Sequence, residues 1–155
     1  MTVYALAVFA HVICGAILAM TLVIMQLVVS PAAARMTNAE DKKLIGMAIQ
    51  TRWHPVVDAA IIIQTVTALF FMVTRWEWIG SSTILHVKVT TGIITLSFAN
   101  ALHFYYRGKK RRLKAAGEVE KLSKTNKRTQ VMEKVVLVMG VTTYLLALLL
   151  NHNPF

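Results

Sequence analysis

Histidine has the widest chemical reach of the residue types in this sequence, and its five copies are unevenly placed. His11 lies inside residues 3–29, a stretch without a single Asp, Glu, Lys or Arg. His86 opens the apolar stretch 83–106, two residues before Lys88, and His103 stands near the far end of the same stretch, followed by Arg107. His54 comes just ahead of the apolar stretch 55–74, one turn before Asp58, and His152 follows the last apolar stretch, 130–150. A neutral imidazole carries one N–H donor and one lone pair, so in apolar surroundings it demands two partners or a metal ion. Imidazoles facing each other across a helical bundle are the usual axial ligands of a b-type haem, which needs no covalent cysteine attachment. Cys14, the only cysteine, leaves no intrachain disulfide, no C-x-x-C and no thiolate cluster.

The elements that must position these histidines are spanning helices. The chain is 56% hydrophobic and 15% charged, with a mean hydropathy of +0.57, whereas soluble domains run at roughly 45–50% apolar. Four segments, about 3–29, 55–74, 83–106 and 130–150, reach the roughly 20 residues that a membrane-crossing helix needs. The first is longer than a signal-peptide core and has no convincing cleavage site, so it reads as a retained helix. The expected fold is all-α, a single four-transmembrane-helix bundle. Asn38-Ala-Glu-Asp reads as a helix cap, starting a further helix that either lies at the interface or continues into 55–74 with a kink at Pro55.

Charge gives the orientation. The net charge is +10, and ten of the 17 Lys and Arg residues fall in 107–129. A concentration of that kind is a positive-inside signal, which places 107–129 and 30–54 in the cytoplasm and both termini outside. The same segment reads as a solvated helical loop facing anionic membrane lipids, and nucleic acid drops out as a partner.

Depth along the helices limits the pairings. Counting about 1.5 Å per residue from each helix centre, His11 and His86 fall in the outer leaflet and His103 and His54 in the inner one. The outer pair, His11 with His86, is the stronger candidate for ligands of one haem b, because only His11 is far from either surface. An inner pair, His103 with His54 or with Met25, would hold a second. His86 and Lys88 are about 200° apart on a helix, so they face different neighbours, and if His86 points into the bundle Lys88 is on another side. Gly15 and Ala19 form a small-xxx-small pair that allows either plain helix packing or the close approach of a flat cofactor.

The lone histidine of the first helix, the string Leu85-His86-Val87-Lys88 opening the third, the basic segment after it and a last helix ending in Pro-Phe resemble the HemJ-type membrane protoporphyrinogen IX oxidases and their relatives in the copper-resistance D-like superfamily. The likeness runs through nearly the whole chain. It implies a haem-b-binding helical bundle in a bacterial cytoplasmic membrane, in which His11, His86 and Lys88 match the family's essential histidine and Leu-His-x-Lys motif. Where family members carry a further histidine and aromatic midway along helix 3, this chain has Ala99-Asn100, and the family's Asn-Glu-x-Pro at the start of helix 4 here reads Gln130-Val-Met-Glu133.

Three functional classes follow. The first is a haem-b redox protein, oxidising protoporphyrinogen IX or passing electrons to a quinone; for an acidic tetrapyrrole, Lys88 and Arg107 are the cations placed to meet propionates. The second is an accessory subunit of a larger membrane complex, or a homo-oligomer. The third is copper handling, with Met20, Met25 and Met72 as soft ligands. No glycine-rich nucleotide fingerprint occurs. Whichever class holds, the charge bias sets an expected orientation: in a Cys14→Ser background, a cysteine introduced within 107–129 is labelled by an impermeant maleimide only from the cytoplasmic side, and one introduced at Ser81 only from outside. The reverse pattern would invert every depth assignment above.

Overall fold

A computed structural model describes residues 2–75, 77 and 83–151, with side chains as far as residue 147. Trp76, Trp78, Gly80, Ser81, Ser82 and His152 lie outside the described residues. Every regular element among the described residues is helical. They are α1 (Val3–Ile24), a π turn at Met25–Val29, α2 (Ser30–Arg35), α3 (Ala39–Ala48), a π turn at Ile49–Trp53, α4 (His54–Thr74), α5 (Thr83–Asn100), a π turn at Ala101–Tyr106, α6 (Arg107–Ala115) and α7 (Val119–Asn151). Joined end to end they make four long helices, Val3–Arg35, Ala39–Thr74, Thr83–Ala115 and one beginning at Val119, each long and apolar enough to cross a membrane.

These helices are longer than the apolar windows that reveal them. A helix of 33 residues such as Val3–Arg35 is about 50 Å long, while a hydrocarbon core is about 30 Å thick. The overhang is rich in Ala, Lys, Arg and Glu, good helix formers that propagate an existing helix into water at little cost. Residues 107–129, read from sequence as a solvated helical loop, are thus the last turns of one long helix and the first turns of the next.

Local signals explain the ends. Thr2 caps α1 through its hydroxyl, which accepts from Ala5 N–H at 3.3 Å. The Asn38 carboxamide accepts from Glu40 N–H at 2.9 Å and caps α3, whose first turn carries Glu40 and Asp41 against the positive end of the helix. From there the chain continues unbroken into α4, so of the two courses open to this segment it takes the continuous one. Two π turns end two residues ahead of prolines. Pro31 and Pro55 each lack an N–H, and their rings crowd the carbonyls four residues back, Leu27 and Thr51, both of which lie within a π turn. The wider turn is how the helix passes a proline without breaking.

The turn between α6 and α7 needs only residues 116–118. Glu118 N–H donates to Leu113 C=O at 3.0 Å and Gly117 N–H to Lys114 C=O at 3.3 Å, with Gly117 at φ +69°. This is a Schellman close, and it requires the left-handed conformation that glycine adopts without a steric penalty.

The chain forms two compact units, one within Met1–Val73 and the other within Thr74–Phe155. In the first, α1 and α4 run antiparallel: Tyr4 and His11 meet Phe71, His11 also meets Thr67, and Gly15 faces Gln64. In the second, α5 and α7 approach closely where Thr143 Oγ1 lies 2.9 Å from Thr91 Oγ1, and a Cβ on Gly92 would stand 3.7 Å from the Thr143 methyl. Leu85 and Ala99 on α5 and Thr125, Thr129 and Val136 on α7 are buried. Small side chains at such a seam let two backbones come together. Large apolar side chains elsewhere point outward, among them Phe9 at 60% exposure, Val66 at 60% and Val138 at 65%, far more apolar surface than a monomer in water shows.

Two glycines give opposite expectations. Gly117→Ala should lower stability by about 1 kcal/mol or more, because it forces a Cβ into the left-handed region. Gly46→Ala, in the interior of α3 with open space around its Cα, should raise it by roughly 0.5–1 kcal/mol. Thermal unfolding in detergent followed by far-ultraviolet circular dichroism reads both, and a Tm shift of the same sign for the two variants would contradict the turn assignment.

Candidate functional site

Most polar side chains of the long helices are satisfied on their own helix. The hydroxyls of Thr21, Thr65, Thr67 and Thr91 donate to the carbonyls of Ile17, Ile61, Ile63 and Val87, each four residues back, at 2.7–2.9 Å. The imidazole of His11 cannot use this solution, since it needs both a donor and an acceptor, and it reaches instead to α4.

Chemistry fixes the direction of the bonds there. Thr67 spends its one hydroxyl proton on its own helix, donating to the Ile63 carbonyl at 2.8 Å with the Gln64 carbonyl 3.1 Å away. Its oxygen therefore accepts, and His11 Nδ1–H donates to it at 2.8 Å. The proton being on Nδ1, the Nε2 lone pair accepts from the Gln64 amide Nε2–H at 3.1 Å. Phe71, four residues past Thr67, sets its ring edge-on to the imidazole with centroids 5.3 Å apart. Gln64, Thr67 and Phe71 are spaced i, i+3, i+7, which puts all three on one face of α4. Tyr4, His11 and Gly15 present the matching face of α1, where the absent side chain of Gly15 leaves room for the Gln64 carboxamide at 3.5 Å from its would-be Cβ. Gly15 was open between helix packing and cofactor approach; what lies against it is the glutamine.

The arrangement is incompletely satisfied. Gln64 Oε1 is buried and has no hydrogen-bond partner among the described residues, and a buried unpaired carbonyl costs about 1–3 kcal/mol. Neither Gln64 nor Thr67 is among the residues singled out from the sequence above. The signal was present in the i, i+3 spacing of Gln64 and Thr67 in the apolar middle of α4.

The remaining candidates are distributed as follows. His54 is the first residue of α4 and half-buried, 13 residues before Thr67, which puts it about 20 Å from His11 along the helix. Asp58, one turn on, is also half-buried. His86 is exposed in the first turn of α5, while Lys88 is half-buried on the stripe running Leu85, Lys88, Gly92, Ala99, so of the two it is the lysine that shares the covered face. His103 is half-buried within the third π turn and Arg107 half-buried at the start of α6. His86 and His103 are 17 residues, about 25 Å, apart on one continuous helix, as Lys88 and Arg107 are about 28 Å apart. Each expected histidine pair, His11 with His86 and His103 with His54, takes one member from each compact unit. Met72 lies at the Tyr4 end of the α1–α4 pair, about 24 Å along it from Met20, so the three methionines are not gathered at one level. No group of three His, Cys, Asp or Glu side chains is placed to hold a metal ion among the described residues.

No protein-family model, curated protein or solved structure matches this chain.

The coupling between α1 and α4 is measurable. A double-mutant cycle of His11→Ala and Gln64→Leu, read from unfolding in detergent, should give an interaction energy of about 0.6–1.7 kcal/mol. The same cycle between His11→Ala and Thr95→Val on α5 should give about zero, and a coupling no larger than that control would remove the Gln64–His11 bond.

Proposed function

We propose that this chain is a multi-pass protein of the bacterial cytoplasmic membrane that binds haem b through His11 and serves a redox reaction. The observation that carries the reading is the tautomer of His11. Its Nδ1–H is held by the Thr67 hydroxyl, the anchoring that a metal-ligating histidine has at its second nitrogen, and its Nε2 keeps the lone pair, which accepts from the Gln64 carboxamide. The orphaned Oε1 of Gln64 belongs to the same reading: the carboxamide bonded to Nε2 is itself only half satisfied, so a metal ion replacing it there displaces a poorly held group. His86, exposed at the start of α5, is the second ligand under this reading, with Lys88 the alternative because it lies on the covered stripe. A bound haem b would supply one-electron chemistry. The protein's own part is to fix the ligand tautomer through Thr67, to shield the ring edge with Phe71 and to keep water from His11.

The likeness of Leu85-His86-Val87-Lys88 to the protoporphyrinogen-oxidising family names the substrate class, a flat acidic tetrapyrrole entering from the membrane, with quinone as electron acceptor. Lys88 and Arg107 would then serve propionates at opposite ends of the third long helix. The hydrogen bond of Gln64 to His11 Nε2 favours a second reading. In it, His11 is a polar clasp between α1 and α4, and the chain is a haem-free subunit of a larger membrane complex.

Absorbance of the purified protein separates the two. Under the haem reading the wild type shows a Soret band with split visible bands on reduction. His11→Ala loses most of it, and Gln64→Leu keeps or gains haem because a competing donor is gone. Haem quantified against protein gives a ratio near one for the outer site alone and near two if His103 and His54 hold another. A colourless wild type from haem-replete cells, with His11→Ala destabilised, would establish the clasp instead.

A further inference from the structure

We propose that the cleft between α6 and the first turns of α7 binds the phosphodiester of an anionic phospholipid. The cleft has a volume of about 380 Å³ and is lined by Tyr106, Lys109, Leu113, Lys121, Lys124, Thr125 and Arg128. Four of these seven side chains are cationic. Two of the four have carboxylate partners next to them, Lys121 with Glu118 at 2.5 Å and Lys124 with Glu120 at 2.8 Å. Lys109 lies over the Tyr105 ring at 5.7 Å, and Arg128 has no ion pair among the described residues. The cleft therefore has on its walls two cations without a carboxylate partner among the described residues, Lys109 from α6 and Arg128 from α7, whose mutual repulsion an anion bound between them would convert into attraction. Guanidinium and ammonium groups converging on one volume are a phosphate-binding arrangement.

Depth selects the lipid over a soluble anion. Tyr106 ends the apolar stretch of the third long helix, and Arg128 stands two residues before the apolar stretch of the fourth begins at Gln130. Lys109 is about 4.5 Å beyond Tyr106, Leu113 about 10 Å beyond it, and Lys124 about 9 Å before Gln130. The headgroup layer on one side of a bilayer is roughly 5–8 Å deep. The cleft thus spans the layer in which lipid phosphates lie, with Arg128 and Lys109 at the phosphate level and the Tyr106 ring and Leu113 as apolar walls. Across 107–129 the ten cations and two glutamates leave +8, so the surrounding field also draws anionic lipid.

This inference rests on the membrane placement proposed above and not on haem. Native mass spectrometry of the detergent-solubilised, delipidated chain should show one phosphatidylglycerol retained in preference to phosphatidylcholine. Lys109→Gln/Arg128→Gln should weaken that first lipid roughly 20- to 30-fold. The charge-matched variant Arg111→Gln/Arg112→Gln, outside the cleft, should change it little, and millimolar inorganic phosphate should not displace the lipid. Equal losses in the two double variants would reduce the effect to a diffuse field and overturn the site. Displacement by phosphate would assign the cleft to a soluble anion and overturn the lipid. Flotation of the wild type with phosphatidylcholine vesicles after an alkaline wash tests the membrane placement separately, since the cleft variants should float equally well. A wild type that fails to float would defeat that placement and the lipid site with it.

Discussion

A polar group surrounded by apolar side chains has to find its hydrogen bonds within the protein, and nearly every distinctive feature of this chain follows from that constraint. Backbone groups meet it by forming helices throughout. Threonines meet it by turning their hydroxyls onto carbonyls one turn back, and the Asn100 amide does the same to Leu96. Histidine cannot. Its two ring nitrogens need opposite partners in directions that its own helix does not supply, and so His11 binds α1 to α4 through Thr67 and Gln64. The register of the pair, with Tyr4 at Phe71 and Gly15 at Gln64, is set around that ring.

The same constraint governs the irregular turns. A proline inside a helix strands one carbonyl, and the π turns at Met25–Val29 and Ile49–Trp53 absorb that defect at Pro31 and Pro55. The third, Ala101–Tyr106, is followed by Gly108 and by no proline, so nothing local in its sequence demands the extra residue. It is also the one that carries a histidine, His103. Single π turns without a proline are found at functional sites often enough to make that position the next to probe.

Charge is arranged by a different rule. Cations that would be costly inside the apolar stretches are gathered where the third long helix ends and the fourth begins, and the tight close at Gly117 folds the two basic extensions back onto each other. An extended loop would have kept those charges apart. A hairpin of helices puts Lys109 of one and Arg128 of the other on the walls of one cleft.

What the sequence by itself determined was everything with a short range. The four apolar stretches appear because their composition repeats over about 20 residues, the α3 cap because Asn38 and its two acidic neighbours act within one turn, and the positive segment because charge is countable. The helices outran their apolar windows because Lys, Glu and Arg continue a helix as readily as Leu does, so hydropathy marks the apolar part and not the helix end. His11 was legible as a residue in need of partners. Which partners it has was decided only by the tertiary structure, since the antiparallel register of α1 on α4 depends on the Gly15 gap against Gln64 and on the Phe71 ring against His11, contacts between residues far apart in the chain. The difference between His86 and Lys88 was of the same kind. Their 200° separation said that they face different neighbours, and only the packing of α5 against α7 put Lys88 on the covered stripe.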